Sequence, residues 1–288
     1  MVVVRKHDGE RNKEEKRNID KYEKVHKALS VFIVGWIHSS CYGVDPLEMV
    51  VIETTDAWVV QMVICDAKGD NAHIIAPTVY ANQYKAELVE NNTFILQNFE
   101  IEKNDLTIKY CHHPFKFILN GNTLLQDLNE FEIAKPGFKF VPFDEIKNGK
   151  VRKDVLIDVI GSFHELGYTQ LVPGGARKVH INFKIKDLTG NILPCILWEL
   201  FAEKFVKYNN ERKDDGPVVI LIHNAMIKEA IDKYELGVSN AWNSTKLFIN
   251  EDLPEIVPFQ KRFAYIKKGC GSGDLELSTT SQGQPSLS

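Results

Sequence analysis

Residues 178–186 alternate without a break between polar and apolar side chains, and this alternation is the strongest constraint on the fold. A period of two with one apolar face is typical of a strand that covers a hydrophobic core on one side only. Residues 187–191 then have the composition of a tight turn, in which Gly190 is free to take a positive φ. Residues 192–198 are apolar again. The segment therefore predicts a β-hairpin with one buried face and one basic face.

The spacing of the apolar residues lengthens after Trp198. Phe201, Ala202 and Phe205 recur at intervals that place them on one face of a helix. The predicted order is therefore strand, turn, strand and helix, with an aromatic residue where the second strand ends.

The same order of elements occurs earlier in the chain, at an offset of about 121 positions. The pairs at this offset are Asp66 with Asp187, Gly69 with Gly190, Ala81 with Ala202 and Tyr84 with Phe205. Matches of compatible type at a single offset predict two copies of one fold in tandem. Pro77 occupies the position of Trp198, so the first copy lacks the aromatic residue at that point.

A closed barrel of about five strands, with a helix between the third and fourth strands, is the oligonucleotide-binding (OB) fold. We therefore predict an all-β protein with short helices, built as tandem OB-fold five-stranded β-barrels. The 288 residues are enough for two such domains. The predicted boundaries are a charged N-terminal arm (1–28), a first barrel (29–120), a connector (121–150), a second barrel (151–265) and a disordered tail (266–288).

Composition restricts the class of partner. The formal net charge is −4, so any nucleic-acid interaction depends on local patches and not on the overall charge. Five scattered cysteines without CxxC spacing favour a reducing compartment over a disulfide framework or a zinc ribbon. Cys111, His112 and His113 are adjacent, and adjacent residues of a strand point to opposite faces, which disfavours a zinc site. We expect neither a signal peptide nor a membrane-spanning segment.

The sequence contains none of the motifs that commonly mark an active site. There is no GxxxxGK[ST] phosphate loop, no GxGxxG after a strand and no GxSxG elbow. The acidic residues are dispersed and form no pair suited to two-metal chemistry. We therefore expect a binding protein and not an enzyme, with no cofactor, no metal and no small-molecule substrate.

Several motifs of the second copy occur together in the order and spacing of a known family. They are residues 158–161, the turn at 187–191, residues 197–199, Ala202, Phe205, and residues 239–240, 244–250 and 253–256. Through them the second copy resembles the second major DNA-binding domain of the replication protein A large subunit. The first copy is similar, more loosely, to the preceding domain of plant forms of that subunit, through residues 58–76 and 92–101. The likeness covers residues 30–263 but neither the zinc-bearing C-terminal domain nor the N-terminal interaction domain of the family.

The resemblance implies a nuclear protein that binds single-stranded DNA in replication, repair and recombination. It implies the smaller replication protein A subunits, or other replication and repair proteins, as protein partners. In this family each domain stacks bases on a pair of aromatic residues. Trp198 matches the first stacking position of the second domain, and Tyr234 is the expected substitute for the second.

Further residues complete the predicted nucleic-acid interface. They are Lys178, Lys184 and Lys186 on the basic strand face, Asn240 and Lys246 near the end of the second copy, and Lys68 and His73 in the first. Trp198 and the lysines of the basic strand face also have a plainer interpretation. Trp198 is typical of a tryptophan that covers a barrel rim, and the lysines are typical of an ordinary solvated strand face. His180 is expected to be a surface residue.

Two other functions fit the same sequence. One is an OB-fold protein-interaction module that has lost DNA binding, which Pro77 and the net acidity favour. The other is a binder of single-stranded RNA or telomere ends, which differs only in its ligand.

Overall fold

The structure is a computed structural model that describes residues 31–33, 37–39, 60–66, 69–85, 87–88, 93–127, 137–170, 179–213, 215–231, 235–241 and 244–267. In chain order the elements are β1 (Val31–Ile33), β2 (Ile37–Ser39), β3 (Val60–Asp66), β4 (Asn71–Ala76), α1 (Thr78–Lys85), β5 (Thr93–Gln97), β6 (Glu100–Lys103), β7 (Phe115–Ile118), β8 (Leu124–Asp127), α2 (Phe143–Lys147), β9 (Ile157–Gln170), β10 (His180–Lys186), β11 (Ile192–Trp198), α3 (Leu200–Glu211), β12 (Val219–Lys228), β13 (Gly237–Asn240), β14 (Lys246–Ile249) and α4 (Ile256–Lys267). The predicted N-terminal arm and most of the predicted tail lie outside the described residues.

The second copy is a closed five-stranded barrel. β10 pairs with β9 and with β11 in antiparallel fashion, and β11 pairs in parallel with β13. β12 closes the ring because it pairs with both β13 and β9. α3 lies between the third and fourth strands of this ring, which is the arrangement of the OB-fold.

The first copy has the same topology. β3 pairs with β1 and β4, β4 pairs in parallel with β7, and β7 pairs with β6. β5 returns to β1 and completes the ring. β5 and β6 are two halves of one strand that bends at Asn98, whose φ is 59°. The prediction of tandem OB-fold barrels is therefore confirmed.

The central hairpins of the two barrels share one register. Val60 pairs with Ala76 in the first barrel, and Ile181 pairs with Leu197 in the second. Both members of the second pair lie about 121 positions after their counterparts, as the repeat predicts. The equivalent helix positions, Ala81, Tyr84, Ala202 and Phe205, are all buried. The internal repeat is thus a repeat of structure.

Asp187 fixes the turn between β10 and β11. Its Oδ1 accepts hydrogen bonds from the backbone N–H groups of Thr189 and Asn191, at 2.9 Å and 2.8 Å. Gly190 and its counterpart Gly69 have φ values of 94° and 85°. A residue with a Cβ atom adopts such values only at a cost, so glycine suits both turns.

Each barrel buries the apolar face of its alternating strands. In β10 the buried side chains are Ile181, Phe183 and Ile185, and the residues between them are partly exposed. α3 places Phe205 against this core, with its ring stacked 5.1 Å from that of Phe183. Burial of a large apolar side chain contributes about 1.5–3 kcal/mol, so the alternation that predicted the hairpin also stabilises the barrel.

The segment between the barrels packs against the second one. β8 pairs with β5, so the first barrel extends to Asp127, beyond its predicted end at residue 120. Phe138 and Phe140 cover the outside of β12 together with α4, and Phe143 enters the barrel core. Residues 138–143 of the predicted connector therefore pack against the second barrel and form part of it.

Candidate nucleic-acid interface

Three rings from neighbouring strands form a ladder on the outside of the second barrel. The imidazole of His180 lies in the middle, with its centroid 4.8 Å from the indole of Trp198 and 5.7 Å from the ring of Tyr168. At these separations aromatic rings attract one another. Tyr168 is 62% exposed and Trp198 is partly exposed. This aromatic ladder therefore presents ring surface to solvent.

Strand pairing fixes the position of the aromatic ladder. His180, at the start of β10, is the cross-strand partner of Trp198 at the end of β11. On its other side His180 pairs with Gln170, because β9 runs beyond the closed part of the barrel. A Cβ atom on Gly167 would lie 3.1 Å from the backbone oxygen of Asn182. Glycine therefore permits the close approach of β9 and β10 beside the ladder.

The indole is anchored through its backbone. The N–H of Trp198 donates a hydrogen bond of 2.8 Å to Oδ1 of Asn240 on β13. The next residue, Glu199, has a φ of 55°, and its N–H bonds to the carbonyl of Val179 at 2.9 Å. A positive φ is costly for a residue with a Cβ atom and persists where surrounding contacts enforce it. These contacts turn the chain sharply into α3 and leave the indole at the barrel rim.

A groove of about 220 Å³ lies next to the aromatic ladder on the same outer face. Its lining includes Pro194, Ile196, Asn182, Lys184, Glu165 and Lys228. Nζ of Lys184 lies 2.9 Å from Oε1 of Glu165, and this contact raises the pKa of Lys184 and lowers the pKa of Glu165. Both side chains are substantially exposed, and an ion pair of this kind adds little to stability. Lys184 can therefore leave the carboxylate of Glu165 and bind a phosphate in its place.

The lysines of β10 do not lie beside the indole: Lys184 lines the groove, and Lys186 lies beyond it along the strand. Lys184 and Lys186 follow His180 on the same face of the strand. At about 3.3 Å per residue they are ~13 Å and ~20 Å away along the strand. Stacking surface and positive charge thus occupy opposite ends of one face.

The remaining predicted residues fall into two groups. Lys246 lies on β14 and pairs with His223 of β12. His223 lines the cleft between the barrels, so Lys246 belongs to a different face from the aromatic ladder. Lys68, Lys178 and Tyr234 lie outside the described residues. Their contacts with nucleic acid stay predictions.

Two predicted contacts are corrected by burial. His73 is 0% exposed and lies under the ring of Tyr110, with the ring centroids 4.8 Å apart. It has no surface with which to contact a ligand in this structure. Asn240 is 8% exposed and its carboxamide holds Trp198. Asn240 is therefore a positioning residue for the indole and not a direct contact.

Sequence reasoning missed two members of the aromatic ladder. His180 could have been found, because the turn at residues 187–191 fixes the register that pairs it with Trp198. Tyr168 could not, because the β9–β10 pairing shifts register twice before it reaches His180, and bulges of this kind leave no reliable signal in one sequence.

No cluster of three or more His, Cys, Asp or Glu side chains suited to a metal occurs in the ranges that the structure describes. Cys111 is buried, and burial raises the pKa of its thiol. This favours the protonated form, which is a poor metal ligand. No helix within those ranges has the length and apolar character needed to span a bilayer.

Comparison with protein families gives one match. The family described as "Domain of unknown function DUF223" matches residues 49–149, about a third of the chain. The match contains most of the first barrel and the connector, and the aromatic ladder lies outside it. No curated protein matches the chain.

Solved structures of low identity resemble the chain. A replication protein A heterotrimer bound to ssDNA contains a chain with 13% identity and a TM-score of 0.47; the match covers 84% of this chain and 52% of that one. This chain thus spans about half the length of that relative. Fission yeast Pot1 with ssDNA gives 12% identity, a TM-score of 0.32, and coverage of 85% and 92%. p202 HIN1 in complex with 12-mer dsDNA has 9% identity and a TM-score of 0.40, and the match covers 77% of this chain and 92% of that one. Every one of these TM-scores is below 0.5, and the fold assignment therefore depends on the strand topology above.

Proposed function

We propose that the second barrel binds single-stranded nucleic acid by stacking bases on the aromatic ladder. The observation that carries this proposal is the alignment of Tyr168, His180 and Trp198 across three strands, with ring surface exposed to solvent. His180 and Trp198 lie on the second and third strands of the ring, the face with which OB-folds bind oligonucleotides, and Tyr168 lies on the adjoining first strand. Each stacked base contributes about 1–3 kcal/mol and every base has a π-face, so this mode tolerates any sequence.

Phosphate contacts make a smaller contribution. Lys184 and Lys186 lie on the ladder's face, and Lys184 has to leave Glu165 before it binds a phosphate. Each phosphate neutralised on a single strand adds about −0.7 to the slope of log K against log salt. Two lysines give a slope of about −1.4, a modest salt dependence that agrees with the net charge of −4.

We infer further that the physiological ligand is single-stranded DNA and that the protein acts in the nucleus, in replication, repair and recombination. The motifs shared with the large subunit of replication protein A support this role, and they support its smaller subunits or other repair proteins as partners. The mechanism requires no catalytic step, because the strand is held by stacking and phosphate contacts.

A titration of a labelled oligo-dT followed by fluorescence anisotropy tests the proposal. Trp198→Ala is expected to weaken binding by about 1–3 kcal/mol, or roughly 5- to 150-fold. Tyr265→Ala is the matched control, because it removes an exposed aromatic ring from α4, away from the ladder. Equal affinity of Trp198→Ala and the unaltered protein removes the indole from the site. Competition with an RNA of the same sequence separates a DNA binder from an RNA binder.

A protein-interaction module is the second candidate. Leu166, Leu200 and Ile231 of the second barrel are each more than half exposed, and apolar surface of this kind is typical of protein interfaces. This function predicts no shift of labelled single strand at low micromolar protein, together with recovery of a partner protein that Leu166→Asp abolishes.

A further inference from the structure

The outer face of β3 and β4 in the first barrel is covered at His73. His73 points outward from β4, because its neighbours Ala72 and Ile74 point into the core, yet it is 0% exposed. Neither of its ring nitrogens has a hydrogen-bond partner in the described chain. Buried polar atoms without partners are rare, and each needs an explanation. Here a polar side chain that belongs on a surface has been covered.

The equivalent face of the second barrel is open. Val63 pairs with His73 in the first barrel, and at the repeat offset this pair corresponds to Lys184 and Pro194. Lys184 and Pro194 line the groove beside the aromatic ladder. The position of His73 is thus covered in the first copy, and the equivalent position, Pro194, is accessible in the second.

Residues 104–114, the loop between β6 and β7, cover this face at His73. The ring of Tyr110 lies 4.8 Å from that of His73, and Cys111 is only 5% exposed. A backbone hydrogen bond of 2.8 Å from Asn104 to Pro114 closes the base of the loop. The loop is therefore a compact cover whose underside contacts β4.

The loop is fastened to the start of the second barrel. Nζ of Lys109 lies 2.7 Å from Oδ2 of Asp154, and the N–H of Lys109 donates to the carbonyl of Asp154 at 2.7 Å. The carbonyl of Lys109 accepts the N–H of Leu156 at 2.9 Å. Arg152 binds the same carboxylate at 2.8 Å, so Arg152 and then Lys109 lower the pKa of Asp154. These contacts join the cover on one barrel to the other.

A cleft of about 710 Å³ lies between this loop, the uncovered part of the β3–β4 face around Val63, and the second barrel. Its lining includes Tyr110, Cys111 and His112 of the loop, and Leu156 and Asp158 of the second barrel. Space on one side of a segment means that few packing contacts oppose its movement. The polar contacts of Lys109 therefore account for much of what holds the loop to the second barrel.

From this geometry we propose that residues 104–114 form a latch, which covers the His73 part of the β3–β4 face by docking on the second barrel, and that its release opens this part of the face to single-stranded nucleic acid. The second half of this statement rests on the proposed function. The closed chain binds a strand with one barrel, and the released chain binds with two.

The reactivity of Cys111 tests the latch without any ligand. Alkylation by a maleimide, measured peptide by peptide with mass spectrometry, should be at least about fivefold faster in Lys109→Ala and in Asp154→Asn than in the unaltered protein. Lys153→Ala breaks a neighbouring ion pair to Glu229 outside the latch and should leave the rate unchanged. Cys195, buried in the second barrel, reports whether that barrel remains folded, and the far-UV circular dichroism of each variant reports on the whole chain. An unchanged Cys111 rate in both latch variants, with Cys195 protected, overturns the latch.

A binding measurement tests the second half of the proposal, that release of the latch opens the first barrel to single-stranded nucleic acid. In a Trp198→Ala background, which weakens the second barrel, Lys109→Ala should raise the affinity for a long oligo-dT by at least about fivefold. Equal affinity with and without Lys109→Ala overturns the opening of a second face. If the unaltered protein and all variants fail to bind, the proposed function is wrong, and the Cys111 rates still decide whether the latch exists.

Discussion

The imidazole of His180 lies 4.8 Å from the indole of Trp198, with the ring planes 35° apart. The same imidazole lies 5.7 Å from the ring of Tyr168. His180 is therefore the central ring of the aromatic ladder, and it supports the exposed tyrosine from one side and the tryptophan from the other.

Because His180 is central, His180→Ala should weaken oligo-dT binding as much as loss of a terminal ring, by about 1–3 kcal/mol. His180→Phe keeps an aromatic surface at the same position and should bind within about threefold of the unaltered protein. Anisotropy titrations of both variants check this. Equal losses in both variants would show that the imidazole acts through its nitrogens and not through stacking.

Asn240→Ala should weaken binding without touching the ligand, because the N–H of Trp198 loses its acceptor. An unpaired buried N–H costs about 1–3 kcal/mol, so the free energy of unfolding should fall by a similar amount. Asn240→Asp keeps an oxygen at the acceptor position and should lose less. Urea unfolding and anisotropy on the two variants measure both effects. Tighter or unchanged binding by Asn240→Ala contradicts the positioning role.

The fold could be predicted because its main signals are local. Alternation in residues 178–186, the turn glycine Gly190 and the helical spacing after Trp198 all lie within one short segment. The internal repeat then allowed the same elements to be predicted in the first copy, where the hairpin has an identical register. Local pattern and global topology agree here, as they do in sequences that specify one fold.

The site was predictable only in part, because it depends on contacts between distant segments. Trp198 was identified from its place at the end of β11. Tyr168 joins the aromatic ladder only through the irregular pairing of β9 with β10, which brings its ring next to His180. The burial of His73 depends on Tyr110, in a loop that lies far along the chain. No periodicity in the sequence indicates that a loop will fold back over a strand face.

Glu165→Gln should strengthen binding of single strands at low salt. The substitution removes the carboxylate that holds Lys184 at 2.9 Å, so the ammonium group reaches a phosphate without competition. We expect a few-fold gain in affinity, because Lys184 no longer has to leave a carboxylate before it binds its phosphate. Glu211→Gln, at the exposed end of α3, makes the same change of net charge as a control. An equal gain in both variants would indicate a general charge effect and no role for the Lys184–Glu165 pair.

The stability of the first barrel should fall as the pH drops from about 6.5 towards 4. Burial, aided by the charge of Lys116, lowers the pKa of His73 from 6.5 to about 4. Over this range the unfolded chain binds a proton at His73 and the folded chain does not, so acid favours unfolding by up to about 3 kcal/mol. Besides Lys116, the titratable groups next to His73 are Tyr110 and Cys111, and burial raises the pKa of each of these two. Both remain neutral over this range.

Thermal unfolding of His73→Phe at pH 7 and pH 5 isolates this contribution. The variant keeps a ring against Tyr110 but cannot titrate, so its midpoint should change less between the two pH values than that of the unaltered protein. An identical change in both proteins would contradict the buried, neutral state of His73.

The most direct measurement of the central claim is photocross-linking of a 5-bromodeoxyuridine oligomer to the full chain, with the attached peptides identified by mass spectrometry. The account predicts cross-links at Tyr168, His180 and Trp198, and their loss on competition with unlabelled oligo-dT. Competable cross-links that map only to α4 or to the first barrel, with the ladder peptides unmodified, would contradict it.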